Sequence, residues 1–215
     1  IEVKYNLPYL INLPPFFIKD IEANNLKGVR KFSLIFRGKI LAFFIKILDK
    51  KLFCIFINIF FRNDGKIIFD NKRYVKLTKN SLKIHFPNKR ILRIVKSHES
   101  NFDRIFYSYC LNEIKFNPGD VVIDCGSNIG ELKFALNQKN IKTSYIAFEP
   151  DPQTFDCLNL NHSSESLHLF NYALSNTEGS LKFFLDNEGG NSSLSNFKNE
   201  IIFWLGIAFE SITFW

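Results

Sequence analysis

The segment that decides the fold reads VVIDCGSNIGE and runs from Val121 to Glu131. Its first part is a short apolar run that ends in Asp124, after which Gly126 and Gly130 bracket a turn. Beyond the turn, apolar residues recur at helical spacing, at Ile129, Leu132, Ala135 and Leu136. The pattern predicts a buried strand, a turn whose glycines let the backbone approach a ligand, and a helix over about residues 128 to 138 whose start offers free N–H groups.

Strand and helix continue to alternate after this turn. Tyr145 to Phe148 forms a second apolar run, and Asp151 followed by Pro152 is typical of a helix start. The stretch from Leu167 to Phe170 is a third apolar run. The β-α-β-α-β order predicts an α/β fold with a parallel, doubly wound sheet.

Two carboxylates stand where neighbouring strands end. Asp124 occupies the position at which the dinucleotide-binding fingerprint has its first glycine, and an acid there repels pyrophosphate but suits a cationic amino group. Glu149 closes the next strand, at the spacing where a carboxylate accepts hydrogen bonds from both hydroxyls of a ribose. A nucleoside that carries an amino acid fits both features, and we therefore expect S-adenosylmethionine as the cofactor.

Four runs of sequence occur in the order GDVVIDCGSNIGE, YIAFEPDPQTFDCLNLN, NYALSN and GGNSSL. Together they resemble the FkbM family of S-adenosylmethionine-dependent methyltransferases, over about residues 95 to 196. The resemblance implies a class I methyltransferase fold, which is Rossmann-like. It also implies O-methylation of a hydroxyl on a sugar, glycan, lipid-linked saccharide or polyketide.

The same resemblance implies which residues bind the cofactor. The methionine end would be lined by Asp124, Gly126, Ser127, Asn128 and Gly130, with Glu131 opening the helix. The ribose would be held by Glu149, and the adenine would be bordered by Pro150, Tyr172 and Ala173. Two alternatives stay open, because Gly130 can serve helix packing alone and Tyr172 can be a packing residue.

The chain departs from the family pattern near its end. FkbM proteins carry a K-I-D-x-E-G segment on a further strand beside the acceptor site, whereas this sequence reads IIFWLGIAFESITFW over residues 201 to 215. We therefore expect a cofactor domain over residues 101 to 215 that is incomplete at its C-terminus, and whether residues 201 to 215 are native in frame stays open. No general base is assigned; His98 and Glu99 are candidates, each expected at the surface.

Charge divides the chain near residue 100. Residues 1 to 100 hold 21 Lys and Arg against 7 Asp and Glu, whereas residues 101 to 215 hold 7 against 14. We expect a basic N-terminal extension of helices and short hairpin strands, followed by the acidic cofactor domain. An Asn-Asp-Gly turn at residues 63 to 65 is expected to lead into four strands, KIIF, RYVKL, LKIHF and RILRIV, and a helix is expected over residues 102 to 114.

The apolar stretch from Ile40 to Phe61 is interrupted by charges at its centre, namely Lys46, Asp49, Lys50 and Lys51. Each charge costs about 2.5 to 3.5 kcal/mol at the middle of a bilayer, so a membrane span is not expected. The spacing favours an amphipathic helix, for which two interpretations stay open: peripheral membrane contact through residues 31 to 61, or packing against the core of a neighbouring domain. The first interpretation leads to an alternative function, a catalytically incomplete fragment that acts as a membrane-surface or scaffold module.

Two further classes of function receive little support. The basic half carries no recognisable nucleic-acid-binding motif, so nucleic acid is not an expected partner. The cysteines show neither a CxxC pair nor a histidine at ligand spacing; they are Cys54, Cys110, Cys125 and Cys157. We expect reduced, mostly buried thiols, no metal site and a cytoplasmic location, with peripheral membrane contact left open.

Overall fold

The computed structural model describes residues 28–61, 63–165, 167–175, 179–184 and 202–207. Two elements of the sequence analysis lie outside these ranges, namely the GGNSSL run and the last eight residues of the C-terminal tail.

Two helices open the described part of the chain. Helix α1 spans Gly28–Ile47 and helix α2 spans Lys50–Phe60, so the helices expected in the basic N-terminal extension are confirmed. Tyr74, which lies in the sheet that follows, stabilises the break between the two helices. Its hydroxyl donates to Asp49 and accepts from the Lys50 N–H at 3.1 Å. Within the described residues, neither these helices nor any other combines the length and the apolar character that crossing a bilayer requires.

Three antiparallel strands follow, β1 at Gly65–Asp70, β2 at Arg73–Thr78 and β3 at Lys83–Phe86, in the order β1-β2-β3. They confirm three of the four strands expected in the basic half. The hairpin between β1 and β2 turns through Asn71 and Lys72, both at positive φ, which matches the right-handed twist of the flanking strands.

The fourth expected strand, RILRIV, is wrong. Residues Lys89–Ile94 form a 3-10 helix, and Asn88 caps it by accepting a hydrogen bond from the Arg90 N–H at 3.0 Å. Ile91 and Ile94 are both fully buried, and their spacing of three places them on the same side of a 3-10 helix. The expected helix over residues 102 to 114 starts earlier and is divided: α3 spans His98–Ser108, and a short 3-10 helix covers Leu111–Glu113.

The parallel sheet has the predicted β-α-β-α-β order. Strands β4 at Val121–Cys125, β5 at Ser144–Phe148 and β6 at His168–Phe170 pair in parallel in the order β4-β5-β6. Helix α4 at Glu131–Gln138 joins the first pair, and helix α5 at Pro152–Asn161 joins the second. Asp151 caps α5 by accepting from the Gln153 N–H at 3.0 Å, as expected. The chain is thus a mixed α/β protein, compatible with a Rossmann-like fold.

The two faces of this sheet differ. Tyr145 and Ala147 are buried on the face that the crossover helices cover, where the Lys133 ammonium of α4 lies 5.8 Å from the Tyr145 ring centre. Val121 and Phe170 are exposed on the opposite face, Val121 at 55%. Further along the chain, β7 at Gly179–Phe184 and β8 at Ile202–Ile207 form an antiparallel pair. The strand β8 falls within the C-terminal tail.

One hydrophobic cluster joins both sides of residue 100. It includes Phe53 and Ile57 of α2, Phe86 of β3, and Leu136 and Leu158 of α4 and α5. The predicted domain boundary at residue 100 stays a prediction, but the two parts are packed into one core in the structure. Polar contacts also link the two parts.

Two asparagine side chains each satisfy both backbone groups of one strand residue. Asn58 of α2 accepts from the Ile67 N–H at 2.9 Å and donates to its carbonyl at 2.7 Å. Asn161 of α5 accepts from the His85 N–H at 2.7 Å and donates to the carbonyls of His85 and Ile129. Each amide therefore takes the place of a neighbouring strand and closes one part of a sheet edge.

Replacement of Asn161 tests this link. Asn161→Ala leaves the His85 N–H without its acceptor, and we expect the free energy of unfolding to fall by about 2 to 3 kcal/mol. Urea unfolding followed by circular dichroism measures the change. Asn159→Ala on the exposed side of the same helix is the matched control and should stay within about 0.5 kcal/mol of the wild type. Equal stability of the two variants would contradict the bridging role of Asn161.

Candidate functional site

The predicted site lies at the carboxyl edge of the parallel sheet. Asp124 and Cys125 end β4, and they pair in register with Ala147 and Phe148 at the end of β5. The turn of residues 126–130 leaves β4 at this edge. Its first two N–H groups, those of Gly126 and Ser127, both donate to the Phe148 carbonyl, at 2.8 and 3.0 Å. The turn is therefore fastened to the neighbouring strand, and the strand-end residues named from the sequence do come together.

Glu149 is held at the centre of this edge. One carboxylate oxygen accepts from the Asn128 N–H at 2.8 Å, and the other accepts from the Asp151 N–H at 2.9 Å. The side chain is only 7% exposed. A carboxylate has about four acceptor positions, so two remain beyond those used by the two N–H groups.

Burial raises the pKa of Glu149 from 4.5 to about 7, and the hydrogen bonds from the Asp151 and Asn128 N–H groups oppose part of this rise. A large fraction of the carboxyl group is therefore protonated near pH 7, unless further donors stabilise its charge. A strongly perturbed pKa at a strand-end position is typical of functional sites.

The N–H groups of the turn are all used within the protein. Besides Gly126 and Ser127, Asn128 donates to Glu149, Ile129 donates to the Asn128 side chain at 2.9 Å, and Gly130 donates to the Ser127 carbonyl at 2.9 Å. Residues 126 to 130 therefore form no cradle of free N–H groups for a phosphate. Helix α4 itself begins at Glu131, so the free N–H groups expected at the helix start stay a prediction.

The two glycines of the turn have different roles. Gly126 has φ +78, and nothing lies within 4 Å of the position that a Cβ would take, so this side of the turn is open. Gly130 has φ +83, and its Cβ would overlap Nε2 of His162, and it would stand 2.6 Å from Cδ2 of the same ring and 2.8 Å from Leu158. The structure therefore supports helix packing as the reason for Gly130, which was one of the two interpretations of the sequence.

Asp124 lies on the helix-covered face of the sheet. Its carboxylate accepts from the hydroxyl of Tyr145, which is 1% exposed. Burial raises the pKa of Asp124, and the Tyr145 hydrogen bond opposes this. Tyr145 was not singled out from the sequence, although the parallel register of β4 and β5 puts it on the same face as Asp124.

The remaining predicted cofactor residues fall into two groups. Ser127 and Glu131 are buried, and Glu131 accepts from the Asn101 amide of α3 at 3.0 Å, so it anchors α4 to α3. Pro150, Tyr172 and Ala173 follow the ends of β5 and β6 and are partly open. The Asn171 amide joins these two loops by donating to the carbonyls of Glu149 at 2.7 Å and Pro150 at 3.2 Å. Asn171 was also missed, because its role depends on which loops meet.

The two candidate general bases, His98 and Glu99, differ in their exposure to solvent. Glu99 is exposed, as expected, but the surface position expected for His98 is wrong. His98 is buried, and its Nδ1 lies 3.0 Å from the Asp64 carboxylate. Asp64 also pairs with the ammonium of Lys76, which is fully buried and donates to the Val95 carbonyl at 2.8 Å. His98 thus belongs to a polar network that ties β2 to α3, away from the parallel-sheet edge.

Charge and burial compete within this network. Burial lowers the pKa of Lys76, while Asp64 opposes that change. Burial by itself would raise the pKa of Asp64, but the hydrogen bonds and charges of Lys76 and His98 hold it below its usual value. The network is therefore a partly buried set of ion pairs that stabilises the fold.

The cysteines are all free, but the expectation that they are mostly buried holds only for Cys54 and Cys157. Cys110 and Cys125 are exposed, and Cys125 directly precedes the open side of the turn at Gly126. In the part of the chain that the structure describes, no three His, Cys, Asp or Glu side chains come together as a metal site.

Comparisons of the chain with protein-family models, with curated proteins and with solved structures gave no match. The resemblance to the FkbM family therefore stays a prediction.

The two glycines provide a matched pair of variants. Gly126→Ala adds only the strain of a positive φ, which we expect to cost about 1 to 2 kcal/mol of unfolding free energy. Gly130→Ala adds the same strain and also overlaps His162 and Leu158, so we expect a loss of about 3 kcal/mol or more. Chemical denaturation of both variants measures the difference. Equal losses would show that Gly130 is not a packing position.

Stability should depend on pH through Glu149. The folded chain binds the Glu149 proton more tightly than the unfolded chain, so the free energy of unfolding falls as pH rises from about 4.5 to about 7. The contribution of this group is about 3 kcal/mol over that window, at about 1.4 kcal/mol per pKa unit. It is fully present below pH 4.5 and is lost above pH 7.

Urea unfolding of the wild type and of Glu149→Gln at a series of pH values checks this expectation. The variant should gain stability relative to the wild type as pH rises through the window, because it carries no titrating group at this position. Glu113→Gln removes an exposed carboxylate and controls for the loss of one charge. A difference between wild type and Glu149→Gln that is constant with pH would refute the buried titration.

Proposed function

We propose that the chain binds S-adenosylmethionine at the carboxyl ends of β4 and β5 and acts as an O-methyltransferase. The observation that carries this proposal is the setting of Glu149. Its carboxylate is nearly buried, is oriented by the N–H groups of Asn128 and Asp151, and keeps two acceptor positions for further donors. The two hydroxyls of a ribose are donors of the number and kind that these positions accept.

The turn before α4 supports a nucleoside without phosphates. The N–H groups of residues 126 to 130 are already used, so a pyrophosphate would find no donors there. Gly126 leaves space beside the turn, and Asp124, near the end of β4, provides a carboxylate. A carboxylate whose pKa is raised by burial gains from a cationic neighbour such as the amino group of a methionine moiety.

S-Adenosylmethionine, when bound, supplies an electrophilic methyl group. The residues of this chain would act by position: Glu149 fixes the nucleoside, Asp124 orients the amino acid end, and Asn171 keeps the loops after β5 and β6 together around the base. Holding the reactants in line accounts for much of the rate in such a displacement. The acceptor that we propose is a hydroxyl of a sugar, glycan or lipid-linked saccharide, as the FkbM resemblance implies.

Isothermal titration calorimetry with S-adenosylmethionine tests the proposal. We expect binding by the wild type, a loss of at least about tenfold in affinity for Glu149→Ala, and no change for Glu113→Ala, whose carboxylate is exposed and remote in sequence. Binding should also weaken as pH falls below about 7, because hydroxyl donors require the ionised Glu149.

A second readout separates loss of binding from loss of folding. Cys125 and Cys110 are both exposed thiols, but only Cys125 adjoins the open side of the turn. Saturating cofactor should slow alkylation of Cys125 and leave Cys110 unchanged, as measured by mass spectrometry of the labelled chain. No binding by the folded wild type, or unchanged binding by Glu149→Ala, would overturn the proposal.

A second candidate function, a membrane-surface module without catalysis, is favoured by the exposed apolar side of α1 and α2. The cofactor titration distinguishes the two, because a module of this kind would show no binding of S-adenosylmethionine.

A further inference from the structure

Helix α1 exposes a continuous apolar stripe. The exposed large side chains recur at steps of three or four, at Val29, Phe32, Phe36, Ile40, Phe43 and Ile47. This spacing places them along one side of the helix. Phe32 is 71% exposed, whereas Leu41 and Ile45 pack against the hydrophobic core. The helix is therefore apolar on two sides, and only one of them faces the protein.

Helix α2 has the same arrangement. Its inner side consists of Phe53, Cys54 and Ile57, all buried. Its outer side exposes Leu52, Ile55, Ile59 and Phe60, with Ile59 at 70%. Within the residues that the structure describes, 11 of the 21 exposed large apolar side chains belong to α1 and α2.

Aromatic rings connect the two stripes into one surface. The ring centres of Phe43 and Phe44 are 5.9 Å apart, those of Phe44 and Phe56 are 5.5 Å apart, and those of Phe56 and Phe60 are 4.8 Å apart. We call the exposed apolar residues of α1 and α2, together with Phe56, the outer apolar face. Contiguous surfaces of this kind on soluble proteins are typical of contact sites for a partner or a membrane.

The charge around the outer apolar face is positive. Residues 28 to 61 contain seven Lys and Arg and one acidic residue, Asp49. Lys46, Lys50 and Lys51 are exposed at the junction of the two helices. Asp49 itself lies 3.8 Å from the Lys89 ammonium, which offsets its charge.

We propose that the outer apolar face docks on the surface of an anionic lipid bilayer. A helix with an apolar side and nearby basic residues lies in the plane of the membrane interface, where the apolar side enters the acyl boundary and the basic groups meet the lipid phosphates. A second copy of this chain is the less favourable occupant, because each copy carries seven Lys and Arg against one acidic residue over residues 28 to 61, and two such surfaces repel each other. The proposal does not depend on cofactor binding.

Flotation of the full chain with lipid vesicles tests the proposal. We expect binding to vesicles of phosphatidylcholine mixed with phosphatidylglycerol, and at least about tenfold weaker binding to phosphatidylcholine alone. The combined variant Phe32→Ser, Phe36→Ser and Phe43→Ser should lose binding to the anionic vesicles by at least about tenfold. Tyr107→Ser with Tyr109→Ser removes two exposed aromatic side chains elsewhere and should bind as the wild type does.

A second variant isolates the charge. Lys46→Gln, Lys50→Gln and Lys51→Gln together should weaken binding to anionic vesicles by up to about fivefold per lysine, and the remaining binding should depend less on salt. Circular dichroism establishes that each variant folds. The proposal would be overturned if the folded phenylalanine variant bound anionic vesicles as strongly as the wild type does.

Sedimentation velocity without lipid tests whether a second copy of the chain occupies the outer apolar face. A dimer of the wild type that the phenylalanine variant lacks would assign the outer apolar face to a second copy. A monomer that binds no vesicles, or a phenylalanine variant that unfolds because the face is covered by another part of its own chain, would also overturn the proposal.

Discussion

The hydrogen bonds accepted by the buried Glu149 carboxylate organise the carboxyl edge of the parallel sheet. A carboxylate almost withdrawn from water must be hydrogen-bonded, and here both oxygens accept from backbone N–H groups. One of these donors belongs to the turn after β4 and the other to the start of α5, so a single side chain fixes the position of two helices relative to β5. The Phe148 carbonyl adds two further hydrogen bonds to the same turn. The Gly126 side of the same turn is open, with nothing within 4 Å of the Cβ position.

The parallel sheet was predictable from the sequence for a local reason. An apolar run, a glycine turn and a helical period follow one another within a dozen residues, and no distant residue is needed to interpret them. The segment RILRIV offered no such guide, because a short apolar run fits a strand and a buried 3-10 helix equally well. The cap at Asn88 and the common burial of Ile91 and Ile94 decided between them.

The residues that could not be identified from the sequence depend on contacts between distant parts of the chain. His98 was expected at the surface, but its partner Asp64 is 34 positions away in the chain, and their contact depends on how the residue before β1 packs against α3. Asn161 and Asn171 act through amides that reach backbone carbonyls in other elements. The same limit applies to α1, whose period predicts an amphipathic helix but does not tell which of its two apolar sides faces the core.

The amide of Asn161 has a consequence for how the molecule comes apart. It holds the backbone of His85 in β3 and the carbonyl of Ile129 in the glycine turn at the same time. Detachment of β3 would leave the Asn161 amide less firmly placed, so we expect the turn that contains Ile129 to open more easily once that strand is released. Asn161 thus couples the antiparallel sheet to the candidate cofactor edge, although the charge of the sequence divides them.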